Sequence, residues 1–152
     1  MSIWKRLFGG SKPQTPDSKQ SDAETYYQKG SCYLDGEGVE RDEVEALKWF
    51  RKSAALHYAR SQAQVGDFYN SGKGGVAKDK EEAVNWFRAA AEQNYAYAQL
   101  QLGIKYAIGD GIEKNAAEAE KWINKAIAQN TLSPSQLEFA QLTLKTNKLL
   151  GL

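Results

Sequence analysis

Apolar and small residues recur at helical spacing in three nearly identical blocks along the chain. Each block has a glycine, a tyrosine one turn later and a second glycine, followed by a capping residue, an alanine and a tryptophan. The blocks start at Gly30, Gly66 and Gly103, so successive glycines lie 36 and 37 residues apart. A period of this length indicates stacked repeats, because a single unit cannot bury its apolar face alone.

Start and stop signals divide this pattern into helices. Ser21 with Glu24, and Asp42 with Glu45, form capping boxes that recur before later helices, and Pro134 suits a first helical position. Glycines and asparagines suited to a left-handed residue follow the predicted ends. We therefore predict three helix pairs and a closing helix, over residues 22–35, 42–57, 59–71, 79–93, 96–108, 115–129 and 134–149.

The repeated small and aromatic residues predict how each pair is held together. Glycine inside a helix costs up to about 1 kcal/mol relative to alanine, so Gly30 and its equivalents indicate a close helix crossing. Ala46 and its equivalents are the expected small counterparts, and Tyr33 and its equivalents are expected beside the tryptophans. The bulk of the core is expected from an indole and its neighbour. These positions are Trp49 and Phe50, Trp86 and Phe87, and Trp122 and Ile123.

The closing helix aligns with the first helix of a repeat but changes its key positions. Phe139 stands where the glycine would fall, and Leu142 stands where the tyrosine would fall. We therefore expect a cap, with one face on the third pair and the other face in water. The residues expected to cover the third pair are Leu137, Leu144, Leu149 and Leu150.

The pattern G–x–x–Y–x–x–G–x–G–V–x–x–D–x–x–x–A–x–x–W–F–x–K–A–A resembles the Sel1-like repeat over about residues 22–130. The first copy matches at Gly30, Tyr33, Gly36, Gly38, Val39, Asp42, Ala46, Trp49, Phe50, Lys52 and Ala54. The resemblance implies an all-α fold, a right-handed α-solenoid of three tetratricopeptide-like helix-turn-helix repeats plus a C-terminal capping helix. It also implies adaptor and scaffold roles, in bacteria often in signalling, envelope assembly or host interaction.

We divide the chain into five segments. Residues 1–21 are an amphipathic segment with a flexible tether, residues 22–58, 59–95 and 96–131 are repeats, and residues 133–149 are the capping helix. Four apolar residues of the first segment would share one side of a two-turn helix, which suits an anchor for a membrane surface or a partner groove. They are Ile3, Trp4, Leu7 and Phe8. The alternative is a terminus with no docking role.

Charge and cysteine content narrow the partners and the compartment. The 152 residues include 20 Lys and Arg against 19 Asp and Glu, which argues against a nucleic-acid partner. The single cysteine, Cys32, cannot form an internal disulfide, which favours a reducing cytosol. We expect a cytoplasmic protein, with attachment to the inner face of the membrane as the alternative.

Few residues could carry catalysis. The one histidine, His57, falls where Asn94 and Asn130 stand in the other repeats, so we expect it to end a helix. Cys32 has no histidine partner in the pattern, and no metal-ligand spacing occurs. We therefore expect no enzyme, catalytic residue, metal, cofactor or small-molecule substrate, and a small hydrolase is the least favoured alternative.

The first helix of each pair is expected to line a concave groove that holds a peptide or helix of another protein. The candidates are Glu24, Tyr27, Ser31 and Leu34 in the first repeat, Arg60, Ala63, Asp67 and Asn70 in the second, and Tyr97, Leu100, Ile104 and Ala107 in the third. The alternative for Leu100 and Ile104 is packing beneath the closing helix. A membrane-surface adaptor anchored through residues 1–10 is the alternative function.

Overall fold

The computed structural model describes residues 16–149, and in this range all regular secondary structure is α-helical. The helices are α1 (Pro16–Asp35), α2 (Glu43–Ala55), α3 (Ala59–Ser71), α4 (Lys80–Glu92), α5 (Ala96–Ile108), α6 (Ala116–Ala128) and α7 (Pro134–Leu149). Every helix except α1 lies within two residues of its predicted bounds. The chain divides into two compact units, with the boundary between residues 78 and 79. Helices α1–α3 lie in unit one, and helices α4–α7 lie in unit two.

The first helix begins earlier than the sequence predicted. Pro16 opens α1, so residues 16–21 of the expected flexible tether are helical. A proline at the first helical position loses no hydrogen bond, which makes it a good starting residue. Ser21 lies inside α1, where its carbonyl accepts a hydrogen bond from Thr25 Oγ1 at 2.8 Å. The capping box predicted for Ser21 and Glu24 is therefore wrong.

The starts of α4 and α6 follow their sequence signals, but only half of each of these two predicted boxes forms. The Asp79 and Asn115 side chains accept hydrogen bonds from backbone N–H groups three residues on, both at 3.0 Å. The glutamates of these boxes bind the indoles instead. Glu82 accepts from Trp86 Nε1 at 2.8 Å, and Glu118 accepts from Trp122 Nε1 at 3.1 Å.

At α7 the box is reciprocal. Ser133 N donates to Gln136 Oε1 at 2.9 Å, and Gln136 N donates to Ser133 Oγ at 3.3 Å. Two of the unpaired backbone donors at the start of the helix are thereby satisfied.

Helix ends use left-handed residues, as predicted. Gly72 and Gly109 have φ of 70° and 73°, and each donates its backbone N–H to the last turn of its helix. His57, Asn94 and Asn130 have φ of 61°, 62° and 53°. The lone histidine therefore has the same structural position as two asparagines.

The close helix crossing falls at the repeated glycine. A Cβ on Gly30 would lie 2.7 Å from ring carbons of Phe50, and one on Gly103 would lie 2.6 Å from Ile123 Cγ1. Phe50 and Ile123 are fully buried. The side chain opposite each glycine is thus the bulky residue after the tryptophan, and the expected counterpart alanines, such as Ala46, are buried beside it.

Tryptophans lie at the margin of the core, although the sequence predicts that they supply its bulk together with their neighbours. Trp49 and Trp86 are half-buried and Trp122 retains 9% exposure, while Phe50 and Phe87 are fully buried. In the second and third repeats, the hydrogen bond from the indole N–H to a glutamate favours a position of the tryptophan near the surface of its helix.

The first repeat differs, because Lys29 stands where the other repeats have an apolar residue. The Lys29 and Lys52 ammonium groups lie 4.0 and 4.2 Å from the Trp49 ring centroid. Burial, followed by the charge of Lys52, lowers the pKa of Lys29. Trp49 Nε1 is buried without a hydrogen-bond partner. Cation–π contact with the Trp49 ring therefore stabilises the lysine at this position.

A hydrogen bond joins each second helix to the first helix of the following repeat. Arg51 Nη2 donates to Tyr69 Oη at 2.6 Å, which links α2 to α3. Arg88 Nη2 donates to Tyr106 Oη at 3.5 Å, which links α4 to α5. Tyr69 and Tyr106 therefore bridge consecutive pairs, a role that the sequence pattern did not indicate.

The closing helix packs on the third pair through a narrower set of residues than predicted. Ala140 of α7 is part of a buried cluster with Leu100, Ile123 and Ala126, and Leu144 packs against it. Leu149 was expected on this face but is exposed. Leu150 lies outside the described residues.

Unit two also contains a buried charged group. The Lys105 side chain in α5 is 5% exposed and forms an ion pair with Asp110, which also pairs with Lys80. Hydrogen bonds from Lys105 and then Lys80 lower the pKa of Asp110 below its usual 3.8. The ion pair between Lys80 and Asp110 ties the loop after α5 to the start of α4.

Replacing Gly30 by alanine should destabilise the protein by about 1–3 kcal/mol, because the added methyl overlaps the Phe50 ring. The gain in helix propensity, about 1 kcal/mol, acts in the opposite direction and is the smaller effect. Urea unfolding followed by circular dichroism measures the change. Ser31→Ala, one residue along α1, is the matched control, and equal stability of the two variants would contradict the close crossing.

Asp110→Asn should destabilise unit two by on the order of 3 kcal/mol at pH 7, because it removes the ion pair between Asp110 and the buried Lys105. Since the folded pKa of Asp110 is lowered, its stabilisation is present above pH 3.8 and is lost as the pH falls through the folded value. Unfolding curves between pH 7 and pH 2 should show the two proteins converging. Glu113→Gln, an exposed change in the same loop, should have little effect.

Candidate partner-binding surface

Helices α1 and α3 come together through aromatic and charged residues. The Tyr27 ring centroid lies 5.5 Å from that of Tyr58, and the Arg60 guanidinium lies 6.0 Å from the Tyr27 ring. The Tyr58 hydroxyl donates a hydrogen bond to Glu24. We call Glu24, Tyr27, Tyr58 and Arg60 the aromatic cluster. Three of these four residues are predicted groove residues, and the structure brings them together.

Tyr58 is the member that sequence reasoning missed. Burial, followed by the hydrogen bond from its hydroxyl to Glu24, raises the pKa of Tyr58 to about 12. Tyr58 directly precedes α3, and Tyr95 occupies the same place before α5. The recurrence of a tyrosine directly before α3 and α5 was the sequence feature that could have identified this position.

A cleft of about 180 Å³ lies in the same unit and joins the end of α1 to the end of α3. Its apolar lining includes Leu34 and Phe68, and its rim carries both signs of charge. The lining residues are Leu34, Arg41, Glu43, Gln64, Asp67, Phe68, Ser71 and Lys73. Leu34 and Asp67 are predicted groove residues. The loop residues Arg41 and Lys73 were missed, because the repeats differ in their loops.

The aromatic cluster and the cleft lie at two ends of one surface. Glu24 and Leu34 are ten residues apart on one face of α1, a distance of about 15 Å along the helix. Half-buried Ser31 lies between them, and half-buried Asn70 lies on α3. We call this region the α1–α3 surface. Ala63 was expected to face it but is buried.

In unit two, most of the predicted apolar groove is occupied by α7. Leu100 is 2% exposed within the cluster that contains Ala140, so its prediction as a partner-binding residue is wrong. Ile104 packs against the same cluster, and Ala107 is buried. Burying a leucine is worth about 1.5–3 kcal/mol, which favours packing under the closing helix.

Tyr97 is the predicted residue of unit two that is not part of this packing. It is half-buried, and its ring centroid lies 6.1 Å from that of Tyr95. The two tyrosines flank the start of α5. The anchor residues Ile3, Trp4, Leu7 and Phe8 lie outside the described residues.

The groups considered for catalysis have structural surroundings. Burial, followed by the charges of Glu37 and Asp35, raises the pKa of the Cys32 thiol. The thiol is therefore protonated near neutral pH, which disfavours nucleophilic attack. Within residues 16–149, no group of three His, Cys, Asp or Glu side chains is placed to hold a metal ion.

No helix in the described range is both long enough and apolar enough to cross a membrane.

The repeated architecture matches a known family. The model of the Sel1 repeat matches residues 23–58, 59–95 and 96–131. The chain belongs to the Sel1 repeat family. Proteins built from Sel1 repeats are generally protein–protein interaction scaffolds and are typically non-catalytic.

Two solved structures share 37% sequence identity with the chain and cover 74% of it. One is a Sel1 repeat protein from Oxalobacter formigenes, with a TM-score of 0.68. The other is c5321, a protective antigen of uropathogenic Escherichia coli with an SLR fold, with a TM-score of 0.69. The chain spans 46% and 24% of the lengths of these two proteins.

Helicobacter pylori cysteine rich protein B is also similar in fold, with a TM-score of 0.61 and 22% identity. The match covers 83% of this chain and 97% of that protein. These likenesses show that the Sel1 repeats form an all-α solenoid fold with a C-terminal helix. A comparison with curated proteins gave no match.

Tyr58→Phe should lower the stability of unit one by about 1 kcal/mol at pH 7, because the hydrogen bond to Glu24 is lost. The folded pKa of Tyr58, about 12, is raised above the ordinary 10.0. The stabilisation is therefore fully present below pH 10 and is lost as the pH rises towards 12. Thermal unfolding at pH 7 to 12 measures this loss. Tyr26→Phe on α1 is the control. If the difference in stability between the wild type and Tyr58→Phe does not vary with pH, the hydrogen bond from Tyr58 to Glu24 is not the cause.

Proposed function

We propose that the chain is a non-catalytic scaffold whose α1–α3 surface holds a peptide or helix of a partner protein. The observation that carries this proposal is the pairing of the aromatic cluster with a charged-rimmed cleft on the first helices of Sel1 repeats. A surface about 15 Å long suits two or three turns of a partner helix or a short extended segment.

The cleft suits an apolar side chain flanked by charged groups. Its volume of about 180 Å³ leaves room for a leucine-sized side chain. Arg41 and Glu43 form an ion pair across 2.9 Å at its rim. Asp67 and Lys73 add one charge of each sign, so we expect the partner to carry both an acidic and a basic residue beside its apolar anchor.

The aromatic cluster suits a binding hot spot. Tyrosine and arginine are enriched among residues that dominate binding energy. Tyr58 is fixed by its hydrogen bond to Glu24, and Tyr27 packs against Phe50 with ring centroids 5.7 Å apart. Because these side chains are already ordered, binding loses less conformational entropy.

We propose a separate partner-binding position in unit two at Tyr97, which lies beside Tyr95 at the start of α5. A pair of tyrosines at this position supplies apolar area with polar edges, as binding surfaces commonly do. Half-buried Ile104 contributes through its exposed part, and Leu100 has no place in the site.

A membrane-surface adaptor is the second candidate function, favoured by the sequence of the first ten residues. Ile3, Trp4, Leu7 and Phe8 fit one face of a short helix, with Lys5 on another face. Co-sedimentation of the full chain with anionic vesicles tests this function, against a variant with serine at these four positions. We also propose a reducing, cytoplasmic location, because the chain has one cysteine.

The scaffold function is tested by exchanging two charges on the α1–α3 surface. Affinity capture with the full chain first identifies a partner, which is then purified for titration. Arg60→Glu with Asp67→Lys should weaken its binding at least roughly tenfold, or about 1.4 kcal/mol, because both changes reverse a charge on the partner's path.

The matched control is Lys48→Glu with Glu92→Lys. Both residues are exposed on second helices, and this pair also leaves the net charge unchanged. Unchanged affinity in the α1–α3 variant, or an equal loss in the control, would exclude the α1–α3 surface as the binding site.

A further inference from the structure

Helix α7 has two apolar faces, and only one of them is covered within the described range. Its inner face packs on the third pair through residues that include Ala140 and Leu144. On the opposite side, Phe139, Leu142 and Leu149 are 51%, 58% and 77% exposed. The five exposed large hydrophobic residues of the described range are Val44, Ile108, Phe139, Leu142 and Leu149. Three of the five therefore lie on one helix face.

The repeat register explains why this face is apolar. Phe139 aligns with Gly103, and Leu142 aligns with Tyr106, so the face corresponds to the one that receives the second helix within each repeat. In the third repeat, Ile123 leaves no room for a Cβ on that glycine. A phenylalanine here prevents the same close approach. A helix that packs on this face would therefore do so at the ordinary distance, side chain against side chain.

We propose that the occupant is a second copy of this chain, whose α7 pairs antiparallel with α7 across a two-fold axis. Residues 135, 139, 142, 146 and 149 share one face through alternating spacings of four and three, as helix-pairing seams do. In the symmetric register Phe139 meets Leu142 of the second copy, and Leu142 meets Phe139 of the second copy. Ser135 then meets Thr146 of the second copy, so small polar residues flank the central Phe139–Leu142 contacts and Leu149 lies beyond them.

Charge complementarity selects this occupant and this direction. Glu138 and Lys145 are exposed beside the seam, on the same flank of α7. In the antiparallel register each Glu138 lies beside Lys145 of the second copy, so two intermolecular ion pairs form. A parallel pairing would place Glu138 beside Thr143 of the second copy and would form neither pair. A self-complementary surface of this kind is what a two-fold interface requires.

The size of the seam sets the strength of the association. Each copy contributes two large apolar side chains to the central contacts, which bury far less than the roughly 1,200–2,000 Å² of a standard stable interface. We therefore expect a weak dimer that forms at high protein concentration and exchanges rapidly. It uses a face separate from the α1–α3 surface, so it does not depend on the proposed scaffold function.

Sedimentation equilibrium of the full chain over a wide concentration range tests the dimer. The mass should rise with concentration, and Phe139→Lys with Leu142→Lys should lower the association constant at least roughly tenfold. Val44→Lys with Ile108→Lys, at the other two exposed hydrophobic positions, is the matched control and should leave it unchanged. A chain that stays monomeric, or a Phe139–Leu142 variant that associates as the wild type does, would overturn the proposal.

Exchanging the charges tests the pairing itself. Glu138→Lys and Lys145→Glu should each weaken self-association, because like charges then meet twice. A mixture of the two single variants should associate at least as well as the wild type. In the mixed dimer, the lysine introduced at position 138 of one copy would face the glutamate introduced at position 145 of the other. No recovery in the mixture means that the antiparallel register is wrong.

The N-terminal segment of a second copy is the other possible occupant. The full chain with serine at positions 3, 4, 7 and 8 should still dimerise if α7 pairs with α7. Loss of association in this variant would show that the N-terminal segment covers the face, which would overturn the proposal. Circular dichroism melting curves of all variants identify any change that acts by unfolding.

Discussion

The close crossing of two helices at a glycine is the constraint on which each repeat depends. At Gly30 and Gly103 the space for a Cβ is already filled by Phe50 or Ile123. Because that residue takes the centre of the core, the preceding tryptophan lies at its margin. In the later repeats the indole N–H then reaches a glutamate in the first turn of its own helix. One contact thus fixes the packing of the pair and the environment of the indole.

Features set by neighbours in sequence were predictable, and features set by distant residues were not. Caps and left-handed ends depend on backbone groups within four residues, so Asp79 and Asn94 are placed as predicted. The burial of Leu100 depends on α7, about 40 residues later in the chain. The hydrogen bond from Tyr58 to Glu24 joins residues 34 apart. Helical spacing predicted which face of α1 carries Glu24, but it could not identify Tyr58 as its hydrogen-bond partner.

The residues of the candidate site also divide into those that the sequence pattern predicted and those that it did not. Helical periodicity predicted Tyr27, Arg60 and Asp67 on the first helices. It could not predict Arg41 or Lys73 at the cleft, because loop residues follow no period and differ between the repeats. Yet these loop residues supply much of the charge around the cleft. In a repeat protein the periodic positions build the fold, and partner specificity therefore rests on the positions where the repeats differ.

The first repeat and the closing helix depart from the repeat pattern in opposite directions. In the first repeat, Lys29 replaces an apolar residue and lies over the Trp49 ring, which places charge on a surface that would otherwise be apolar. In α7, Phe139 and Leu142 replace a glycine and a tyrosine and make the corresponding face more apolar. A capping helix needs only its inner face to be apolar. Exposed apolar side chains on its outer face lower solubility, so they indicate an interaction surface. The flanking Glu138 and Lys145 favour α7 of a second copy as the partner of this surface. When the second helix runs in the opposite direction, each of these charges lies beside its opposite on the other copy.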